Sequence, residues 1–140
     1  MTENFKILGQ YAKDVSSETP NTETYLFVRE NIGKYQLKID INSKALKNKL
    51  IEVNTTLKFE DKEDNKKKSL FEIVYASIVR INDEIKEKKD MERIILCDVQ
   101  NLIYPNLEKA LLSLLHTSGF PEVKFEKKVD FNKLYNERSN

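Results

Sequence analysis

Tryptophan is missing from this sequence, glycine and proline occur three times each, and there is one cysteine and one histidine. A lone Cys97 cannot close an internal disulfide, and there is no CxxC pair or histidine cluster to suggest a metal site. Three scattered glycines cannot build a phosphate-cradling loop, and GxxxxGK[ST], GxGxxG and GxSxG are all missing. Nucleotide chemistry and a bound cofactor are therefore not expected. An excess of one charge is lacking too: 24 Lys and Arg stand against 23 Asp and Glu, a net charge of +1. That balance gives no global field to draw nucleic acid or a membrane surface. No apolar run approaches the roughly 18 residues of a membrane span, so membrane insertion is not expected. The first residues, MTENFKILGQY, lack the basic start and apolar core of a signal peptide, so the expected location is the reducing cytoplasm.

What is present suits a folded chain: 39% apolar and 34% charged residues over 140 positions, a length that fits one domain spanning 1–140. Apolar residues alternate at Phe5, Ile7, Gly9 and Tyr11, and again at Tyr35, Leu37, Ile39 and Ile41, predicting two half-buried strands. Between them, Ser16 to Lys34 carries turn chemistry and reads as a long connection. Its apolar cluster Tyr25, Leu26, Phe27 and Val28 reads either as a short buried strand or as part of a binding surface. A third strand places Ile51, Val53, Thr55, Leu57 and Phe59 on one side. The segment DKEDNKKK, residues 61–68, is too charged for burial and reads as a solvated hairpin loop to the next strand, its lysines giving little reason to expect nucleic acid. The fourth strand, Leu70 to Ile81, is apolar on both faces, with Phe71, Ile73, Tyr75, Val79 and Ile81 on one and Leu70, Val74, Ala76 and Ile78 on the other. Such a strand needs two covers, and the helical residues suffice for one side of a four-stranded sheet, so another subunit is the expected second cover.

After Asn82 the period changes to three and four. Pro105 suits a first helical turn, so the main helix is expected to begin near Asn101 to Asn106 and to end at Gly119, with Leu107, Ala110, Leu111, Leu114 and Leu115 as its apolar stripe. Pro121 stops it, VKFEKKV runs extended, and Asp130 is placed to cap a last helix from Phe131 to about Asn136. His116 reads as a histidine at a helix C-terminus and Cys97, in IILCDV, as a buried structural thiol; neither has a catalytic partner in the sequence. An enzyme is not expected.

A resemblance sharpens this reading. The stretch YAKDVSSETPN, Tyr11 to Asn21, is similar to the first-strand signature of SecB export chaperones. The likeness continues in order through IEV at 51–53, LFEIVYASIVRI at 70–81, NLIYP at 101–105, GFP at 119–121 and VDFNKLY at 129–135. The chain departs from the family in its near-neutral charge, in YASIV in the fourth strand and in the loss of the crossover tryptophan. The resemblance implies an α+β subunit, a four-stranded antiparallel sheet with helices packed on one face, assembling as a homotetramer that is a dimer of dimers. It implies an ATP-independent chaperone that binds unfolded preproteins in apolar grooves and passes them to the SecA translocase for export. Client-binding candidates on this resemblance are Tyr25, Leu26 and Phe27 with Leu102, Ile103 and Tyr104; SecA-docking candidates are Asp14, Glu18 and Glu72. Two alternatives remain: a SecB-like chaperone dedicated to one client such as an antitoxin, and a small enzyme or ligand-binding protein on an α+β scaffold.

Overall fold

A computed structural model describes residues 4–61 and 69–139, with the side chains of 138 and 139 left aside. Four strands, β1 (Phe5–Glu18), β2 (Tyr35–Ala45), β3 (Leu50–Asp61) and β4 (Leu70–Ile81), form one antiparallel sheet in the order β1-β4-β3-β2. The β3–β4 hairpin expected from the sequence is present, with Phe59 opposite Phe71; the expected loop at residues 62–68 lies outside the described residues. Asp61, assigned to that solvated loop, is instead buried at the end of β3 opposite Tyr35, because the ladder extends one pair further than its charge suggests.

The helices pack on one face, as the alternation requires. Val53, Val79 and Ile81 meet Ile94, Ile95, Val99 and Ile103. Leu57, Phe59, Phe71 and Ile73 meet Val28, Leu107, Leu111, Leu115, Phe120 and Phe131. This inner face is the core. Among the described residues no helix lies against the outer face, yet Ala76 is buried there and Val74 and Ile78 are half-buried. Much of the second cover comes from neighbouring strands: Lys13 of β1 reaches past β4 to Glu52 of β3 at 2.8 Å, and the Tyr11 hydroxyl lies 3.5 Å from the same carboxylate. That ammonium hydrogen bond holds Glu52 below the usual carboxylate range, so the pair is charged throughout neutral pH.

Three expectations are corrected. First, β1 does not keep one alternation: register shifts between Ile7 and Gly9 and between Ala12 and Asp14 mark bulges. Each extra residue flips the facing of the residues beyond it. Phe5 and Ile7 therefore point inward, opposite Ile81 and Val79, while Gly9 and Tyr11 lie outward, opposite Ile78 and Ala76. Second, the segment read as a long connection is α1 (Thr22–Asn31), followed by a tight turn at Ile32–Lys34. Asn21 caps it by accepting from the Thr24 amide at 2.8 Å, and Thr24 and Val28, four apart, are its buried pair. Third, the main helix starts well before Pro105. It runs as α2 (Lys88–Arg93), a wide π turn (Ile94–Asp98) and α3 (Val99–Thr117). Pro105 and Asn101 are both exposed, so the carbonyl that loses its amide partner faces water and the proline is tolerated mid-helix. Ala110, placed in the apolar stripe, is also exposed, whereas Leu107, Leu111 and Leu115 are buried. The end is as expected: the Phe120 amide bonds back to the Leu115 carbonyl and Gly119 takes φ +106°, which glycine adopts without strain. The last helix, α4 (Phe131–Ser139), begins where expected, with Asp130 accepting from the Lys133 amide at 3.0 Å.

Where the π turn meets the sheet, the fully buried Gln100 accepts from the Thr55 hydroxyl at 3.0 Å and donates to the Ile95 carbonyl at 3.2 Å. Gln100→Leu orphans that hydroxyl and is expected to cost about 1–3 kcal/mol, with part regained on adding Thr55→Val; urea unfolding of the single and double variants reads this directly.

Candidate functional site

A groove of about 860 Å³ lies beside the open edge of β2. Its floor comes from alternation on the inner face: Tyr35, Leu37 and Ile39 of β2, with Phe59 of β3. One wall is α1 and the turn after it, through Tyr25, Arg29 and Ile32. The opposite wall is the irregular stretch from Gly119 to Val129, where Val123 and Phe125 turn inward while Glu122, Lys124 and Glu126 are exposed, as the extended VKFEKKV reading requires. Leu134 of α4 closes one end.

Aromatic contacts set the walls. Phe125 stands edge-on to Phe59 at 5.5 Å, Phe120 edge-on to Phe71 at 5.6 Å, and Tyr25 lies tilted against Phe120 at 5.3 Å. Tyr25 also donates to the Gly119 carbonyl at 2.9 Å. A methyl group on Gly119 would come within 2.6 Å of the Tyr25 ring, so only glycine permits this approach. His116, expected only to favour a helix terminus, donates from Nε2 to the Val123 carbonyl at 3.1 Å and so ties the wall to α3. Tyr35 exchanges two 3.2 Å hydrogen bonds with the Ser69 backbone, and burial pushes its phenol pKa up. The surface is apolar with a rim of both charges, suited to holding varied apolar segments without selecting sequence.

The client-binding candidates divide. Tyr25 lines the groove and Phe27 packs partly against the core. Leu26 and Leu102 are 49% and 62% exposed and lie outside the groove lining. Ile103 and Tyr104 are 2% and 6% exposed; their side chains pack into the core, Tyr104 edge-on to Phe131 at 5.2 Å, because they occupy the sheet-facing side of α3. Burial, with help from the neighbouring Glu108 carboxylate, pushes the Tyr104 phenol far up. The sequence reading missed Leu37, Ile39, Phe59 and Phe125 as groove residues. Their signal was alternation in β2, in β3 and in the VKF segment, patterns that do not reveal that these residues line one groove.

Asp14, Glu18 and Glu72 come together on the other side of the sheet. Asp14 pairs with Val74, Glu18 with Leu70 and Ser16 with Glu72, which sets all three carboxylates at one end of the outer face. The Ser16 hydroxyl donates to Asp14, and Lys58 lies 3.5 Å from Glu72. Cys97 is buried, donates to the Phe131 carbonyl at 3.5 Å and has its pKa raised by burial, which describes a structural thiol. Among the described residues no helix is long and apolar enough to cross a membrane.

The family model described as preprotein translocase subunit SecB matches residues 1–140. A Pelagibacter ubique protein named "Putative protein-export protein SecB" is 59% identical over 140 residues, covering 100% of both chains. The protein-export protein SecB of Methylocella silvestris is 27% identical over 129 residues, 92% of this chain and 78% of that one. Among solved structures, a Mycobacterium tuberculosis SecB-like chaperone, in complex with a ChAD peptide from the HigA1 antitoxin, has the same fold with a TM-score of 0.63. That likeness covers 89% of this chain and 91% of that one at 10% identity.

Proposed function

This chain belongs to the SecB family and is a SecB-type chaperone, not an enzyme; from that premise we propose that it holds unfolded preproteins in the groove beside β2, without ATP, and delivers them to SecA in the cytoplasm. The observation that carries the proposal is the groove itself, an apolar channel bordered by an unpaired strand edge. An extended client can add its backbone to β2 while alternate side chains enter the apolar floor, a mode that takes affinity from the main chain and tolerates many sequences. Tyr25, Leu37, Ile39 and Phe125 are the direct contacts in this reading. Leu26, Phe27 and Leu102 extend the apolar surface, and Ile103 and Tyr104 support it from the core. Asp14, Glu18 and Glu72 form the SecA-docking end of the outer face.

Residues 1–140 act as one domain in this proposal, and the assembly is a dimer of dimers. Val15, on the helix side of β1, is a large apolar side chain left open in one subunit, and a neighbouring subunit covers it.

The test is aggregation of a chemically unfolded precursor diluted into buffer without nucleotide, with the chaperone's mass in solution measured in parallel. Suppression at a stoichiometric ratio by an oligomer is expected. A protein that leaves aggregation unchanged would overturn the assignment. The same assay with several unrelated precursors separates a general export chaperone from one dedicated to a single client.

A further inference from the structure

The outer face of β1 and β4 is charged at both ends with opposite sign. At one end Lys6 lies directly opposite Arg80, both exposed; at the other stand Asp14, Glu18 and Glu72. Like charges directly opposite destabilise a strand pair, and neither Lys6 nor Arg80 has an ion pair to a carboxylate among the described residues. The fold therefore gains nothing from this pair. Glu72 and Arg80 are eight positions apart on β4, about 27 Å along the strand. That exceeds the Debye length of about 8 Å at physiological salt, so the two ends act on a partner independently. Between them lie Tyr11, 46% exposed, the half-buried Val74 and Ile78, and the Lys13–Glu52 ion pair, whose opposite charges offset each other.

We propose that the partner segment docking on this face is bipolar: an extended stretch with a basic cluster over Asp14, Glu18 and Glu72 and an acidic cluster over Lys6 and Arg80. This rests on the reading of the outer face as the SecA-docking surface. It adds a second anchor that fixes the direction of the segment along β1 and β4. An acidic end alone would accept the basic cluster with the rest of the segment pointing either way.

The experiment uses the full chain and two synthetic peptides, one with a lysine cluster and a glutamate cluster separated by eight uncharged residues, the other with the glutamates replaced by glutamine. The bipolar peptide is expected to bind about fivefold more tightly, read by fluorescence anisotropy at physiological salt. Lys6→Glu with Arg80→Glu should erase that advantage without weakening the lysine-only peptide. The milder Lys6→Gln with Arg80→Gln pair serves if charge reversal disturbs folding. Equal binding of the two peptides to the native chain, or an advantage that survives both variants, overturns the proposal. Titration of SecA itself separates the layers. Weakening by Asp14→Asn, Glu18→Gln and Glu72→Gln but not by the Lys6 and Arg80 variants would leave the docking reading standing and refute the second anchor. No weakening by either set would refute the docking reading.

Discussion

Replacing Phe71 by alanine is expected to lower the unfolding free energy by about 3–5 kcal/mol, the range for truncating a buried aromatic. Phe71 is fully buried on the sheet's inner face, near the start of β4. Its ring meets Phe120 edge-on at 5.6 Å and lies 6.4 and 6.5 Å from Tyr35 and Phe59. All three of those neighbours line the groove, so the void left behind lies directly beneath the groove's floor. Stability and client holding should therefore fall together in Phe71→Ala. Phe71→Leu, which keeps most of the volume, should cost much less in both. Urea unfolding at fixed protein concentration gives the first quantity, since any subunit association adds to apparent stability. The aggregation assay gives the second.

A second large effect separates function from stability. Leu37 on the floor and Phe125 on the wall both line the groove and are only half-buried, so truncation there removes client contact more than core. Full burial of a large apolar side chain is worth about 1.5–3 kcal/mol, and two partly covered ones together forfeit about that amount. Leu37→Ser combined with Phe125→Ser should raise the Kd for an unfolded precursor roughly tenfold to a hundredfold. Val74→Ser on the outer face, which no client in the groove touches, should leave that Kd unchanged. Equal losses from both changes would mean that binding follows general apolar exposure and not this groove.

The sheet was legible because a half-buried strand repeats every second residue, and β2, β3 and β4 keep that period without interruption. β1 was legible as a strand but not in its facing. In FKILGQY the every-second-residue reading of Phe5, Ile7, Gly9 and Tyr11 passed over the apolar Leu8, where the backbone inserts a residue after Ile7. The crossover helix was missed because its apolar cluster, Tyr25 to Val28, is contiguous and masks the four-residue spacing of Thr24 and Val28. The cap at Asn21, which does fix the start of α1, sat inside a run of turn-forming residues. Pro105 misled in the opposite direction: a local rule placed it in a first turn, and the solvent-facing side of a longer helix satisfied the same constraint.

The candidate site was legible only in part, for a related reason. A groove is made by segments distant in sequence, here α1, β2, β3 and the 119–129 stretch, and periodicity describes each one singly. Tyr25 could be picked out as an aromatic in a connection. Ile103 and Tyr104 belonged to an apolar patch whose inward side nothing local distinguishes from an outward one. Asp14, Glu18 and Glu72 converge on one face because the second bulge, between Ala12 and Asp14, sets Asp14 and Glu18 on the same side as Glu72.

The claim that the groove beside β2 is where clients are held is tested most directly by a photoreactive cross-linker placed at one position at a time. With an unfolded precursor bound, a probe replacing Phe125 is predicted to capture the precursor in high yield, and a probe replacing Thr56 on the outer face is predicted to capture almost none. Capture at position 56 equal to or above that at position 125 would contradict the account.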